Sequence, residues 1–253
     1  MNSRVVPSVR GAQWLAEGWR LFRAAPLGWL VMVFAYLMGT MLLSLVPLAG
    51  PVLVALAVPA LSVGFMAASR AASRRQPVEL PMLIAGFRER RSAQFVLGVV
   101  YALGFFGAIV GSSVADDGAL MGLLFAPVGA SPGDDPLFGM LAAAALYAPT
   151  MALLWFAPVL VAWHGFTPAR ALFYSAVACW LNLGAFVVYG VALGLLLFAI
   201  LGSAVLLATL GPAGAPAAAA RSLVFPLALV VMPALFASYY ASYRDVFGAA
   251  PEA

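Results

Sequence analysis

The chain has no lysine, one cysteine and one histidine, and charged residues make up only 9% of its 253 positions. The lone Cys179 excludes an intramolecular disulfide and offers no paired thiols for a metal ion. Ordinary soluble domains carry about 25% charged residues, so the low charge excludes that class. Hydrophobic residues make up 65% of the chain and the mean hydropathy is +1.04, which indicates that lipid is the solvent for most side chains.

Long apolar runs predict six membrane-spanning helices. The runs are continuous rather than alternating, which favours helices over a β-barrel, and each is long enough to cross a bilayer. We place the spans at 27–46, 51–69, 93–115, 137–163, 183–210 and 222–243. The predicted fold class is therefore all-α, a polytopic transmembrane helical bundle that forms a single integral membrane domain over residues 1–253.

The distribution of arginine predicts the orientation of the spans. Twelve of the 13 arginines lie before the first span, after the last span, or in the second and fourth connections, and only Arg221 lies on the other side. Cytoplasmic segments carry the excess of positive charge, so we expect both termini in the cytoplasm. The third connection, 116–136, carries four aspartates and no arginine, which suits the outer face.

Residues 8–24, before the first span, have the pattern of an amphipathic helix that lies in the membrane interface. Its apolar side carries Trp14, Leu15, Gly18, Trp19, Leu21 and Phe22, and its polar side carries Arg10, Gln13, Glu17 and Arg20. Aromatic residues opposite arginine are typical of a helix in the headgroup plane. A solvated helix packed on the bundle is the alternative interpretation.

A threefold internal repeat organises the predicted spans. Phe22, Phe87 and Phe173 each precede a span, and a glycine follows each of them by 17 residues. In the next span of each pair, Pro59, Pro158 or Pro233 precedes an arginine by 11 or 12 residues and is expected to kink its helix. We therefore expect three units, each an interfacial segment plus a helical hairpin, at about 8–70, 77–170 and 168–245.

Several of these motifs resemble a known family. They are Gly18-Trp-Arg-Leu-Phe22, Pro26, Trp29, the turn from Pro47 to Pro51, and Pro59-Ala-Leu-Ser-x-Gly-Phe-Met66. They resemble a family of uncharacterised bacterial inner-membrane proteins and, more distantly, the membrane domain fused to some glycerophosphodiester phosphodiesterases. The resemblance is best over residues 14–91. It implies a six-span protein of the bacterial inner membrane, and it brings no catalytic residue, cofactor or phosphodiesterase domain.

The central parts of the six predicted spans contain no Asp, Glu, Lys, Arg or His. Ionisable groups inside a membrane mark proton relays and ion pathways, so their absence argues against a proton-coupled transporter. It also argues against an enzyme that needs an acid–base pair inside the bilayer. We therefore expect neither enzymatic activity nor a cofactor.

Asp116, Asp117, Asp134 and Asp135 form a candidate metal site in the third connection. Four carboxylates in one outer loop offer oxygen ligands for a divalent cation. The interpretation that we favour is structural: one pair caps the fourth span and the other pair ends the third.

The second connection carries arginines that suit anionic lipid headgroups, namely Arg70, Arg74, Arg75, Arg88, Arg90 and Arg91. Each contributes ~1 kcal/mol near a membrane surface, although topology alone also explains their position. No basic module stands outside the membrane, so we expect no nucleic-acid partner. The pairs Gly107/Gly111 and Gly190/Gly194 predict close helix packing, within the chain or in self-association.

Two hypotheses of function follow from these patterns. The first is a non-catalytic membrane protein that associates with lipid or with a partner membrane complex. The second is a passive channel or facilitator for a small solute or lipid. Repeated proline-bearing spans favour the second hypothesis, because broken helices often line substrate pathways.

Overall fold

A computed structural model describes residues 3–47, 49–125, 137–209 and 216–248, and every regular element in these ranges is helical, as predicted. The helices are α1 (Arg10–Ala24), α2 (Pro26–Ser44), α3 (Ala49–Ser73), α4 (Ala85–Arg88), α5 (Arg91–Asp116), α6 (Ala119–Phe125), α7 (Leu137–Leu154), α8 (Ala157–His164), α9 (Pro168–Leu181), α10 (Leu183–Thr209) and α11 (Pro216–Phe247). A single 3₁₀ turn among the described residues, Leu80–Ile84, precedes α4.

Five helical segments of the described residues are long and apolar enough to cross a membrane. They are Pro26–Ser44, Ala49–Ser73, Arg91–Asp116, Leu137–His164 and Leu183–Ile200, and they correspond to the first five predicted spans. The sixth predicted span, 222–243, is not among them, although it lies within the 32-residue helix α11. The chain is thus a helical membrane protein with five candidate spans among the described residues, and the sixth span stays a prediction.

The fourth span is broken, while α3 and α11 continue through Pro59 and Pro233. The break lies between the end of α7 at Leu154 and the start of α8 at Ala157, so Pro158 is the second residue of a new helix. A proline is tolerated in the first turn of a helix, where its missing N–H would have no helical partner. The predicted kink at Pro158 is therefore a break that precedes the proline.

Buried side chains hold this break. The Ser175 hydroxyl donates to the Ala152 carbonyl (2.8 Å) and accepts from the Phe156 N–H (2.9 Å). The Gln94 amide on α5 donates to the Pro158 carbonyl (2.9 Å). Backbone groups in a membrane need a partner from the protein when the helix does not supply one, and Ser175 supplies it on both sides of the break.

The chain divides into two compact units. The first contains the described parts of Met1–Met41, Ser62–Ala85 and Ala178–Ala253, and the second contains those of Leu42–Leu61 and Gly86–Val177. These boundaries differ from those of the three predicted repeat units, and both the threefold repeat and the single domain stay predictions.

Aromatic side chains form the core of the first unit, where α2, α3 and α11 meet. Phe65 of α3 stacks on Phe236 of α11 with a ring separation of 3.8 Å, and Trp29 of α2 lies parallel to Phe65 at 6.3 Å. Tyr36 packs edge-on against both phenylalanines. In the second unit, Gly98 of α5 contacts the backbone of Leu56, and Gly104 contacts Thr150 of α7.

The predicted glycine pairs do not provide this close packing. Among the described residues, a methyl group added to Gly107, Gly190 or Gly194 would meet no atom of another helix within 4 Å, whereas one added to Gly111 would meet Leu146. For the other three glycines, the described residues give no close packing within the chain, and self-association stays a prediction. The close approaches are made by glycines that the GxxxG pattern does not select, because that pattern does not say which face of a helix is covered.

Candidate functional site

Helix α1 packs lengthwise against α10 and α11, and two glycines allow the close approach. Gly11 touches the backbone of Ala185 and Tyr189 on α10, and Gly18 touches Ala234 and Ser238 on α11. A β-carbon at either glycine would overlap with the backbone of the neighbouring helix.

This packing corrects the predicted faces of the N-terminal helix. Trp14 is fully buried, with its ring against Phe186 and Tyr189, so the expectation that it faces lipid is wrong. Glu17, assigned to the polar side, is 8% exposed and therefore belongs to the covered face of α1, while Trp19 stays 42% exposed. The structure therefore favours the alternative of a helix packed on the bundle.

Burying Glu17 is possible because arginines surround its carboxylate. Oε1 accepts a hydrogen bond from Nη2 of Arg10 at 2.9 Å, and Oε2 accepts from Nη2 of Arg244. Arg20 lies farther from the same carboxylate, at 3.7 Å. An ionised carboxylate without such partners would carry a desolvation penalty of several kcal/mol.

Asp245 is the second acid of this ion-pair cluster, which comprises Arg10, Glu17, Arg20, Arg244 and Asp245. Its Oδ2 accepts from Nε of Arg10 (2.6 Å) and from the indole N–H of Trp14 (2.8 Å). Burial acts to lower the pKa of Arg10, but the hydrogen bond and charge of Asp245, together with Glu17, raise the pKa overall. The Arg10 guanidinium is therefore charged at neutral pH.

The cluster joins the two ends of the chain, and Asn182 strengthens this connection. The Asn182 side chain accepts from Val6 N–H (2.8 Å) and donates to the Arg4 carbonyl (3.0 Å), while Arg4 N–H donates to the Val246 carbonyl (2.8 Å). The N-terminal segment is thus fixed against the start of α10 and the end of α11 before α1 begins.

An open cleft of about 270 Å³ adjoins the cluster, lined by Glu17, Arg20, Leu21, Ser73 and Arg244. Ser73 is the last residue of α3, and its hydroxyl lies 3.3 Å from the Tyr240 hydroxyl of α11. The cluster beside the cleft holds three arginines and two carboxylates, so its net charge is +1 when all five groups are ionised. A cleft of this composition suits a small anion.

The predicted metal site is not assembled in the described residues. Asp116 is the last residue of α5 and accepts from the Gly118 and Leu120 N–H groups (3.0 and 2.7 Å), so it caps the start of α6, a helix that the sequence did not predict. Asp134 and Asp135 lie outside the described residues. Among the described residues, no group of three or more His, Cys, Asp or Glu side chains could hold a metal ion.

The six arginines predicted for lipid binding are divided between the two units. Arg70, Arg74 and Arg75 belong to the first unit, while Arg88, Arg90 and Arg91 belong to the second. All except the half-buried Arg70 are exposed. Arg70 lies close enough to Tyr243 of α11 for an electrostatic interaction. It therefore lies near the ends of α3 and α11 that form part of the cleft.

Sequence reasoning missed Glu17 and Asp245, and one signal could have found the contact surface of α1. Gly11, Trp14 and Gly18 fall on one helical face at spacings of three and four residues. Small residues on both sides of a large aromatic residue favour packing against helices over contact with lipid. Glu17 borders that face, so its burial follows once the face is covered.

The chain is similar to a "probable inner membrane protein" of Burkholderia thailandensis, with 39% identity over 254 residues that cover 96% of this chain and 93% of that protein. No family model matches the chain, and no solved structure matches it. At this coverage, the similarity concerns the membrane framework as a whole instead of one segment.

Proposed function

The chain belongs to the family of this Burkholderia thailandensis protein, and we propose from this premise that it is a multi-pass protein of the bacterial inner membrane. Its proposed function is non-catalytic: it associates with anionic lipid headgroups at the cytoplasmic face, alone or within a partner membrane complex. The distant similarity to membrane domains of glycerophosphodiester phosphodiesterases stays a prediction and contributes nothing to this proposal.

Contacts between the chain ends support an even number of spans, and the arginine distribution favours the cytoplasmic side for both ends. Arg4 and Val246 share a backbone hydrogen bond, and Arg10 pairs with Asp245, so the two ends lie on one side. Two ends on one side require an even number of crossings, whereas five candidate spans would separate them. Helix α11 can supply the sixth crossing, because 32 residues extend about 48 Å and a bilayer core is about 30 Å thick.

The observation that carries the lipid proposal is the position of the arginines in the first unit. Arg20 and Arg244 line the cleft, and Arg70 lies one turn before Ser73, which also lines it. Arg70 and Arg244 lie in the last turns of α3 and α11, where a span would meet the headgroups and where arginine attracts anionic lipid. Arg10 and Glu17 form tight ion pairs, so they serve to hold α1 in place and not as an acid–base pair.

The broken fourth span does not favour the facilitator hypothesis. A break that lines a substrate pathway presents its unpaired backbone groups to the pathway. Here, Ser175 bonds one backbone group on each side of the break, and the adjacent Phe156, Ala157 and Leu160 are fully buried. We therefore propose that the protein associates with lipid, in preference to the hypothesis of passive transport.

Gentle extraction followed by native mass spectrometry tests the proposed function. We expect the released protein to retain anionic phospholipid in preference to phosphatidylcholine, with or without a co-purifying membrane protein. A protein released without bound lipid or partner, which raises the flux of small solutes in liposomes, would contradict the proposal and restore the facilitator hypothesis.

A further inference from the structure

We propose that the cleft formed by Glu17, Arg20, Leu21, Ser73 and Arg244 binds the phosphate diester of an anionic glycerophospholipid. This inference rests on the proposed lipid association and gives it a site. The cleft lies at the final residue of α3 and within the last turn of α11. Both positions correspond to the depth at which predicted spans reach the headgroups.

The charges of the cleft favour an anion over a cation. Each oxygen of the Glu17 carboxylate already accepts a hydrogen bond from an arginine, Arg10 on Oε1 and Arg244 on Oε2. Arg20 is held only loosely, 3.7 Å from Oε1, and its side chain is 72% exposed. The net charge of +1 in the cluster is therefore presented mainly by the Arg20 guanidinium, whose planar fork of donors matches two phosphate oxygens.

Arg244 can hold the other side of the same phosphate. Its Nη2 bonds Glu17, and its side chain is 40% exposed, so the guanidinium is fixed at one end and open at the other. A pre-positioned donor lowers the entropic cost of binding. A singly charged diester matches the net charge of +1, whereas a doubly charged monoester would add charge beside the Glu17 carboxylate.

The rest of the cleft suits the glycerol that joins the phosphate to its acyl chains. Leu21 contributes an apolar wall next to Arg20, and a volume of about 270 Å³ exceeds that of a phosphate alone. The exposed Trp19 precedes Arg20 on α1, and tryptophan is enriched at the depth of lipid headgroups.

The test uses full-length Arg20→Gln protein in nanodiscs or mild detergent, with Arg23→Gln as the matched control. Arg23 is exposed on the same helix, one turn away, and does not line the cleft. Native mass spectrometry would compare bound phosphatidylglycerol with phosphatidylcholine for the wild type and both variants. We expect Arg20→Gln to weaken phosphatidylglycerol binding about tenfold, because a direct hydrogen bond between charged groups is lost, while Arg23→Gln changes it much less.

Other outcomes would overturn the inference in distinguishable ways. Equal losses in both variants would show general attraction by surface charge and no site in the cleft. If wild type and Arg20→Gln retain phosphatidylglycerol equally, the cleft is not the binding site, although the protein still associates with lipid. If the wild-type protein retains no anionic lipid, the proposed function is refuted as well. Saturable binding of inorganic phosphate without preference for phosphatidylglycerol would assign the cleft to free phosphate and refute the lipid site.

Discussion

Replacing Glu17 with glutamine should destabilise the protein more than any change at an exposed acid. The glutamine keeps the shape of the side chain and removes the charge that Arg10 and Arg244 share. Its amide NH₂ would also face one of these guanidinium groups, and two donors that face each other form no hydrogen bond. The glutamate side chain is 10% exposed, so little water can take its place.

The magnitude follows from the exposure of the two arginines. Removing one partner of a buried ion pair costs roughly 3–5 kcal/mol, and a hydrogen bond to a charged group contributes about 1.5–3 kcal/mol. The side chains of Arg10 and Arg244 are 28% and 40% exposed, so water recovers part of their solvation. Arg10 also keeps its bond to Asp245. We therefore expect Glu17→Gln to lower the free energy of unfolding by about 2 kcal/mol.

Unfolding in mixed micelles, followed by circular dichroism, measures this change against Glu79→Gln. Glu79 is exposed before the 3₁₀ turn, and its replacement should change stability by less than about 0.5 kcal/mol. A double-mutant cycle with Arg244→Gln isolates the pair: the second substitution should cost at least ~1 kcal/mol less when Glu17 is already glutamine. Equal effects of the two glutamate variants, or additive costs in the cycle, would refute the reasoning.

Three further predictions concern packing, the N-terminal segment and topology. Gly18→Ala should destabilise the protein by about 1–3 kcal/mol in the same unfolding assay, because the added methyl overlaps with α11, whereas Gly39→Ala, which meets open space, should be near neutral. Asn182→Ala removes the bonds to Arg4 and Val6, so amide hydrogen exchange should speed up in residues 4–8 while α5 is unaffected. In a Cys179→Ser background, Ala130→Cys should react with an impermeant thiol reagent from the periplasmic side, and labelling from the cytoplasmic side alone would reverse the topology.

The helices were predictable because their signal is local. A run of about 20 apolar residues specifies a span regardless of its neighbours, and the structure gives helices at all six predicted positions, five of which meet the criteria for a span. The position of the break in the fourth span, at Trp155, was not predictable. It depends on Ser175, which lies 23 residues beyond its carbonyl partner Ala152.

The polar contacts were less predictable, because a residue type does not specify its partner. Asn182 bonds beyond its own helix, to the N-terminal segment. Ser112, Ser113 and Ser203 instead donate to carbonyls three residues earlier in their own helices. Glu17 finds Arg244 at a separation of 227 residues, and no local pattern encodes such a pair.

The same arginines serve two purposes in this chain, which affects how its topology should be tested. Arg10, Arg20 and Arg244 count among the twelve basic residues that predict cytoplasmic termini, and they are also the arginines around Glu17. Reversing their charges to invert the protein would at the same time leave Glu17 without partners and release α1 from α11. A misoriented product could then reflect misfolding and not the charge rule. Thiol labelling within the predicted outer connection, 116–136, leaves the ion-pair cluster intact, so its outcome reports the orientation alone.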